Sequence, residues 1–187
     1  VRRGTTASDE GQDHDCDAWQ ELVSLLQPTP SLWRQQGRMH GRGCLVWGRA
    51  GIGKSTLARR LATECIHIGV DMLPLFVEGA CLLNQLRRYG NSNPLNALLC
   101  DANGKEARGE ARRLLWQALH CRMVSIIVDV GDITCSDWLE LAVFLSSLVV
   151  AGHRVVALAE PDIEALAPEI VVKHLHRFMQ LELQPLT

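Results

Sequence analysis

Gly48-Arg49-Ala50-Gly51-Ile52-Gly53-Lys54-Ser55 is the stretch on which the reading of this chain turns. Its fixed positions match G-x-x-x-x-G-K-[ST] throughout. An apolar run, Cys44-Leu45-Val46-Trp47, leads into it. A segment with Leu57, Leu61, Cys65 and Ile68 at helical spacing leads out. A strand, a glycine-rich turn and a helix in that order have a definite chemistry. The glycines allow backbone angles and a close approach that a Cβ would block. Successive N–H groups can then converge as an anion nest, to which the helix N-terminus adds its partial positive charge. Lys54 is positioned to reach β- and γ-phosphates, the Ser55 hydroxyl to ligate Mg²⁺, and Thr56 to support the α-phosphate side. The expected phosphate-binding set is Gly48, Arg49, Ala50, Gly51, Ile52, Gly53, Lys54, Ser55 and Thr56, and the expected cofactors are ATP or ADP with Mg²⁺.

Downstream, strand-like and helix-like segments alternate. Met72–Val77 reads as a strand whose Pro74, lacking a ladder donor, places it at an edge or has it begin near there. Gly79–Tyr89 and Lys105–His120 read as helices. Val124–Val130 is a fully apolar strand, as a sheet covered on both faces requires. Ser136 is a plausible cap for a helix running to Val150. Arg154–Leu158 and Phe178–Leu183 read as the fourth and fifth strands, with a helical start at Asp162–Leu166 interrupted by Pro168. Asp129, within Ser125-Ile126-Ile127-Val128-Asp129, ends a buried strand where α/β sheets present ligand groups, and is the expected second Mg²⁺-directed residue beside Ser55. Strands separated by helices imply right-handed βαβ units. The expected fold is α/β: a three-layer P-loop NTPase with a five-stranded, mostly parallel sheet. The extra strand after Asp129 is expected between the loop strand and the Asp129 strand, the order of the additional-strand P-loop ATPases.

Composition bounds the alternatives. The 187 residues, 47% of them hydrophobic and 21% charged, suit a single domain with a sizeable core. A net charge of −2 supplies no strong overall field for nucleic acid, and the arginine pairs at 59–60, 87–88 and 112–113 read as solvated helix faces. Seven scattered cysteines without a C-x-x-C pair read as reduced, mostly buried small hydrophobes in a cytoplasmic protein. The histidines lack metal-ligand spacing, and the longest apolar stretch, Leu139–Ala151, is too short to cross a bilayer. Trp47, Trp116 and Trp138 read as core residues rather than base-stacking platforms. Residues 1–17 are polar and acidic and read as a disordered lead-in; 18–37 form a helical segment with Trp19, Leu22, Val23, Leu25 and Leu26; 38–187 form the nucleotide-binding domain. A chain beginning at Val1 reads as a piece of a longer protein.

Leu45–Ala58 resembles the G-x-A-G-x-G-K-[ST]-T-L stretch of NACHT domains, the signalling ATPase module of the STAND class. Ile127-Val128-Asp129-Val130-Gly131-Asp132-Ile133 resembles that family's L-D-G-x-D-E-L, Val155–Pro161 its strand ending in T-S-R-P, and Phe178–Leu186 the strand closing its nucleotide domain. The resemblance covers roughly residues 38 to 187 and implies the additional-strand (AAA+/STAND-like) order. It also implies a nucleotide-gated switch with protein partners or self-association through the parent protein; the net charge and the short apolar stretch give no expectation of a nucleic-acid or membrane partner. Two departures stand out. The family's second acidic pair falls on Asp132 and Ile133, which leaves Asp132 as the candidate group for positioning water. The arginine expected to sense the γ-phosphate falls on Glu160, a reversal of charge. Hydrolysis is therefore expected to be weak or absent. An active AAA+-type ATPase is the alternative, and a small-molecule kinase with Arg108, Arg112 and Arg113 in a lid is a more remote one.

Overall fold

The computed structural model describes residues 42–67, 73–89, 93–99, 105–121, 123–131, 133–160 and 173–183. The expected helices at 18–37 and 162–166 lie outside these residues. So does the water-positioning candidate Asp132, and so do Trp19 and Trp33.

Five strands form one sheet: β1 (Arg42–Trp47), β2 (Leu73–Glu78), β3 (Val124–Asp129), β4 (Arg154–Ala159) and β5 (Phe178–Glu182). Their spatial order is β2-β3-β4-β1-β5, and every pairing is parallel. The strand carrying Pro74 is an edge, where its missing N–H interrupts no second ladder. β4 lies between β1 and β3, so the additional-strand order expected from the sequence is the order observed. β3 and β4 are almost wholly buried because both faces of the sheet are covered.

Helix α1 (Lys54–His67) follows β1, and α2 (Gly79–Tyr89) follows β2 with no intervening loop. A 3₁₀ turn at Pro94–Leu98 comes next, then α3 (Gly109–His120), and α4 (Cys135–Val150) joins β3 to β4. The chain moves in one direction across the sheet from β1 to β2, then in the other from β2 to β3 to β4 and on to β5. With right-handed crossovers, that reversal puts α1 on one face and the later helices on the other. The side chains follow suit. Cys44, Val46, Ile127, Val156 and Leu158 pack with Ala58 of α1, whereas Leu45, Val77, Ile126, Val128 and Val155 pack with Leu82 of α2 and Trp138 and Leu141 of α4. The two sets alternate along each strand, as the period of 2 requires.

Several boundaries differ from the sequence reading. α4 is capped by Thr134, whose hydroxyl accepts from the Asp137 amide at 3.2 Å, while Ser136 lies inside the first turn and contacts Thr134 Oγ1 at 3.0 Å. Both hydroxyls are cap-competent; an extended backbone at Thr134 decides between them. α3 begins at Gly109 rather than Lys105. Trp47 and Trp138 are core residues as expected, and Trp116 is partly buried and lies tilted against the His120 ring with centroids 4.1 Å apart. Of the described cysteines, Cys44 is buried, but Cys121 and Cys135 are exposed, against the expectation of mostly buried thiols; they sit at the end of α3 and the start of α4, where no layer covers them. Among the described residues no helix is long and apolar enough to cross a membrane.

Candidate nucleotide site

The winding reverses in this sheet, and open α/β sheets hold ligands at the carboxyl ends of their strands where that happens. The segment between β1 and α1 lies there. Gly51 and Gly53 adopt φ of 78° and 99°, and nothing would lie within 4 Å of a Cβ at either, so glycine is needed for backbone conformation, with open space in front of the turn. Gly48 is needed for closeness: a Cβ there would stand 2.9 Å from Ile52 Cγ2 and 3.3 Å from Leu183 Cβ. The Ile52 amide donates to the Arg49 carbonyl at 3.3 Å, and the Leu57 amide to the Gly53 carbonyl at 2.8 Å, which starts α1 immediately after the turn. Arg49, Ala50, Gly51 and Thr56 are exposed at the surface of this loop.

Lys54, the first residue of α1, turns back over the loop. Its Nζ donates to the Gly48 carbonyl at 2.6 Å and the Arg49 carbonyl at 2.9 Å, and its side chain is almost wholly buried. A buried ammonium requires such partners. The loop's own carbonyls therefore hold the cation at the mouth of the nest. Ser55, one residue on, donates from Oγ to Asp129 Oδ2 at 2.5 Å. The two residues come from elements 74 positions apart and meet because β3 ends beside the loop. A hydroxyl and a carboxylate in contact beside this glycine turn are the kind of oxygen donors that a hard divalent cation takes.

The turn after Asp129 is fixed from both sides. The Val130 amide donates to the Leu158 carbonyl at 2.9 Å, and Gly131 takes φ of 64°. Gly79 lies so near that a Cβ there would be 2.7 Å from the Val130 carbonyl oxygen. Ile133, where the NACHT resemblance calls for a glutamate, is partly buried against the main core. That position is directed into the apolar layer.

Glu160 also stands at this loop. It follows β4 directly, and its Oε1 lies 3.8 Å from Lys54 Nζ. Sequence inspection alone flagged it only as a charge reversal; its contact with the lysine depends on strand register. Two of the three arginines of the alternative lid segment are engaged locally, Arg112 with Glu106 and Arg113 with Glu110.

The fold is that of a P-loop NTPase, with the strand order of AAA+ domains. Among solved structures the chain is similar to domain III of the replication initiation protein DnaA from Thermotoga maritima (TM-score 0.58, 15% identity, 97% of this chain and 66% of that one). It is also similar to the DnaC helicase loader (TM-score 0.53, 12% identity, 96% of this chain and 94% of that one). A DNA replication initiation factor matches with a TM-score of 0.51 at 11% identity, over 96% of this chain and 48% of that one. The chain thus spans a little under two thirds of the DnaA domain structure and about half of the initiation factor. No protein-family model matches the sequence, and no curated protein does.

Proposed function

We propose that this chain is a nucleotide-binding switch domain of a larger cytoplasmic signalling or scaffold protein, of the NACHT kind, with weak or absent hydrolysis. The constellation of Lys54, Ser55 and Asp129 at the open glycine turn carries the reading. The loop N–H groups from Gly48 to Thr56 and the Lys54 ammonium would hold the phosphates, and Ser55 with Asp129 would hold Mg²⁺. A metal held there would neutralise charge on the phosphates. The chain's own residues do the rest: the loop orients the nucleotide and Lys54 exchanges carbonyl partners for phosphate oxygens.

Weak hydrolysis follows from what the residues lack. The position resembling the family's glutamate is Ile133, turned into the core, so Asp132 remains as the group proposed to orient water. Glu160 replaces a positive sensor with a negative charge. A switch needs no fast turnover, only a difference in affinity between its two conformations. Protein partners or self-association through the parent protein would read that difference.

The competing reading is an active AAA+-type ATPase, which the likeness to DnaA and DnaC favours. Those neighbours are a replication initiation protein and a helicase loader, so the expectation that nucleic acid is not a partner draws no support from them.

Calorimetric titration of ATP and ADP, with and without Mg²⁺, tests the proposal on wild type and Lys54→Ala beside a turnover assay. Loss of the charge-assisted phosphate contacts should weaken binding about a hundredfold, with the fold retained by circular dichroism. Wild-type protein that is folded and binds neither nucleotide would sink the reading. Sustained turnover abolished by Asp132→Asn would shift it to the active ATPase.

A further inference from the structure

Parallel pairing of β1 with β4 sets Trp47 opposite Ala159. The next residues on the two strands are Gly48 and Glu160, so backbone register by itself delivers an acid to the first residue of the phosphate loop. The delivery is completed by the side chain, whose Oε1 stands 3.8 Å from Lys54 Nζ. Lysine has three N–H donors. Two are engaged by the Gly48 and Arg49 carbonyls, and Glu160 is the anion beside the same nitrogen. The lysine side chain is 8% exposed and the glutamate 38%, so this pair is screened by water on one side only.

We propose that Glu160 determines which nucleotide the site prefers, favouring a diphosphate over a triphosphate. The inference rests on the nucleotide-binding reading of the loop and deepens it. Lysine at this motif position serves the β- and γ-phosphates. A carboxylate beside that lysine already neutralises it in the empty loop, and an incoming terminal phosphate has to take the ammonium in the presence of a like charge. A diphosphate brings less negative charge to the same nitrogen and meets less opposition. A neutral or positive residue at 160 would oppose neither.

The alternative role for a carboxylate here is to orient water for hydrolysis, and the same experiment separates the two. ADP and a non-hydrolysable methylene analogue of ATP are titrated in Mg²⁺ against wild type, Glu160→Gln and Glu160→Arg, with thermal unfolding as a check on folding and ATP turnover measured alongside. Removing one charge near a partly screened site should tighten the triphosphate about tenfold while ADP changes by less than about threefold. Glu160→Arg should move the ratio further in the same direction, and it stands as the second variant if Glu160→Gln does not fold. An unchanged triphosphate-to-diphosphate ratio in the folded variants overturns the inference and leaves nucleotide binding intact. Loss of turnover in Glu160→Gln with that ratio unchanged assigns the carboxylate to water and also overturns it. Wild type that binds neither ligand removes the underlying reading, and the inference with it.

Discussion

Two carboxylates stand at the ends of adjacent strands, and they meet the same loop in opposite ways. Asp129 closes β3 and accepts a hydrogen bond from the neutral hydroxyl of Ser55. Glu160 follows β4 and pairs with the Lys54 ammonium. The first contact keeps a negative charge available to a cation. The second neutralises the positive charge that a phosphate would use. Position at the carboxyl edge of the sheet does not decide what an acid does there; the partner one residue earlier or later on α1 does. Lys54 and Ser55 are neighbours in sequence, yet they point their polar atoms at different strands.

That contrast can be attacked by separating the two strand ends. The largest effect is expected from Gly79→Ala. Its Cβ would meet the Val130 carbonyl at 2.7 Å, a backbone atom that cannot rotate away, so the turn behind Asp129 must shift. Overpacking of this kind costs about 2 kcal/mol, read as a lower urea midpoint. Mg²⁺-dependence of nucleotide affinity should fall with it, while the preference set at Glu160 persists. Equal loss of both would mean that the two ends move as one. Asp129→Asn comes next. It keeps an acceptor for Ser55 and removes the charge, so the gain in affinity on adding Mg²⁺ should shrink about tenfold. Affinity measured without Mg²⁺ should hold or improve. If Asp129→Asn instead acted like Glu160→Gln, tightening triphosphate regardless of metal, the contrast between the acids would be wrong.

The smallest effect should come from Arg87→Ala. This exposed guanidinium ties α2 to α4, where it meets Asp137 and Glu140. Arg87, with the Thr134 hydroxyl, holds the Asp137 carboxyl below its ordinary value of 3.8. A lowered folded-state pKa contributes stability above the ordinary carboxylate range and loses it as pH falls through the folded value. The variant should therefore unfold slightly below wild type near neutral pH, with the gap closing in acid below about pH 4. Nucleotide affinity should be untouched. A gap that widens in acid would contradict the sign.

Much of the architecture was legible in the residues. The apolar run Val124–Val130 pointed to a strand covered on both faces, and Pro74 to a strand at an edge or beginning near it; β3 is interior, and β2 is an edge that starts at Leu73. The glycine turn announced its chemistry through residue types that no other role requires together. Strand ends were less legible. β2 runs through Glu78, and β1 starts at Arg42, because parallel neighbours continue the ladder whatever the side chain; Glu78 pairs in register with Asp129. The cap at Thr134 was missed because two hydroxyls competed and only backbone conformation chose between them. Glu160 was legible as an oddity and not as a contact, since its approach to Lys54 depends on the register of two strands more than a hundred positions apart in the chain. Ile133 could be read as a missing acid, but its burial against the main core belongs to the packing.

Leu183, just past β5, has a mechanical meaning. The Leu183 amide donates to the Trp47 carbonyl at 2.7 Å, and its side chain lies against Gly48. Among the described residues β5 is bonded to the sheet on one side, through β1. Tension on the chain after β5 would work on that edge from its end, and among the described residues the bond nearest the pull is the one beside the glycine turn. The edge strand is a drawstring, and its knot is tied at the residue where the loop begins.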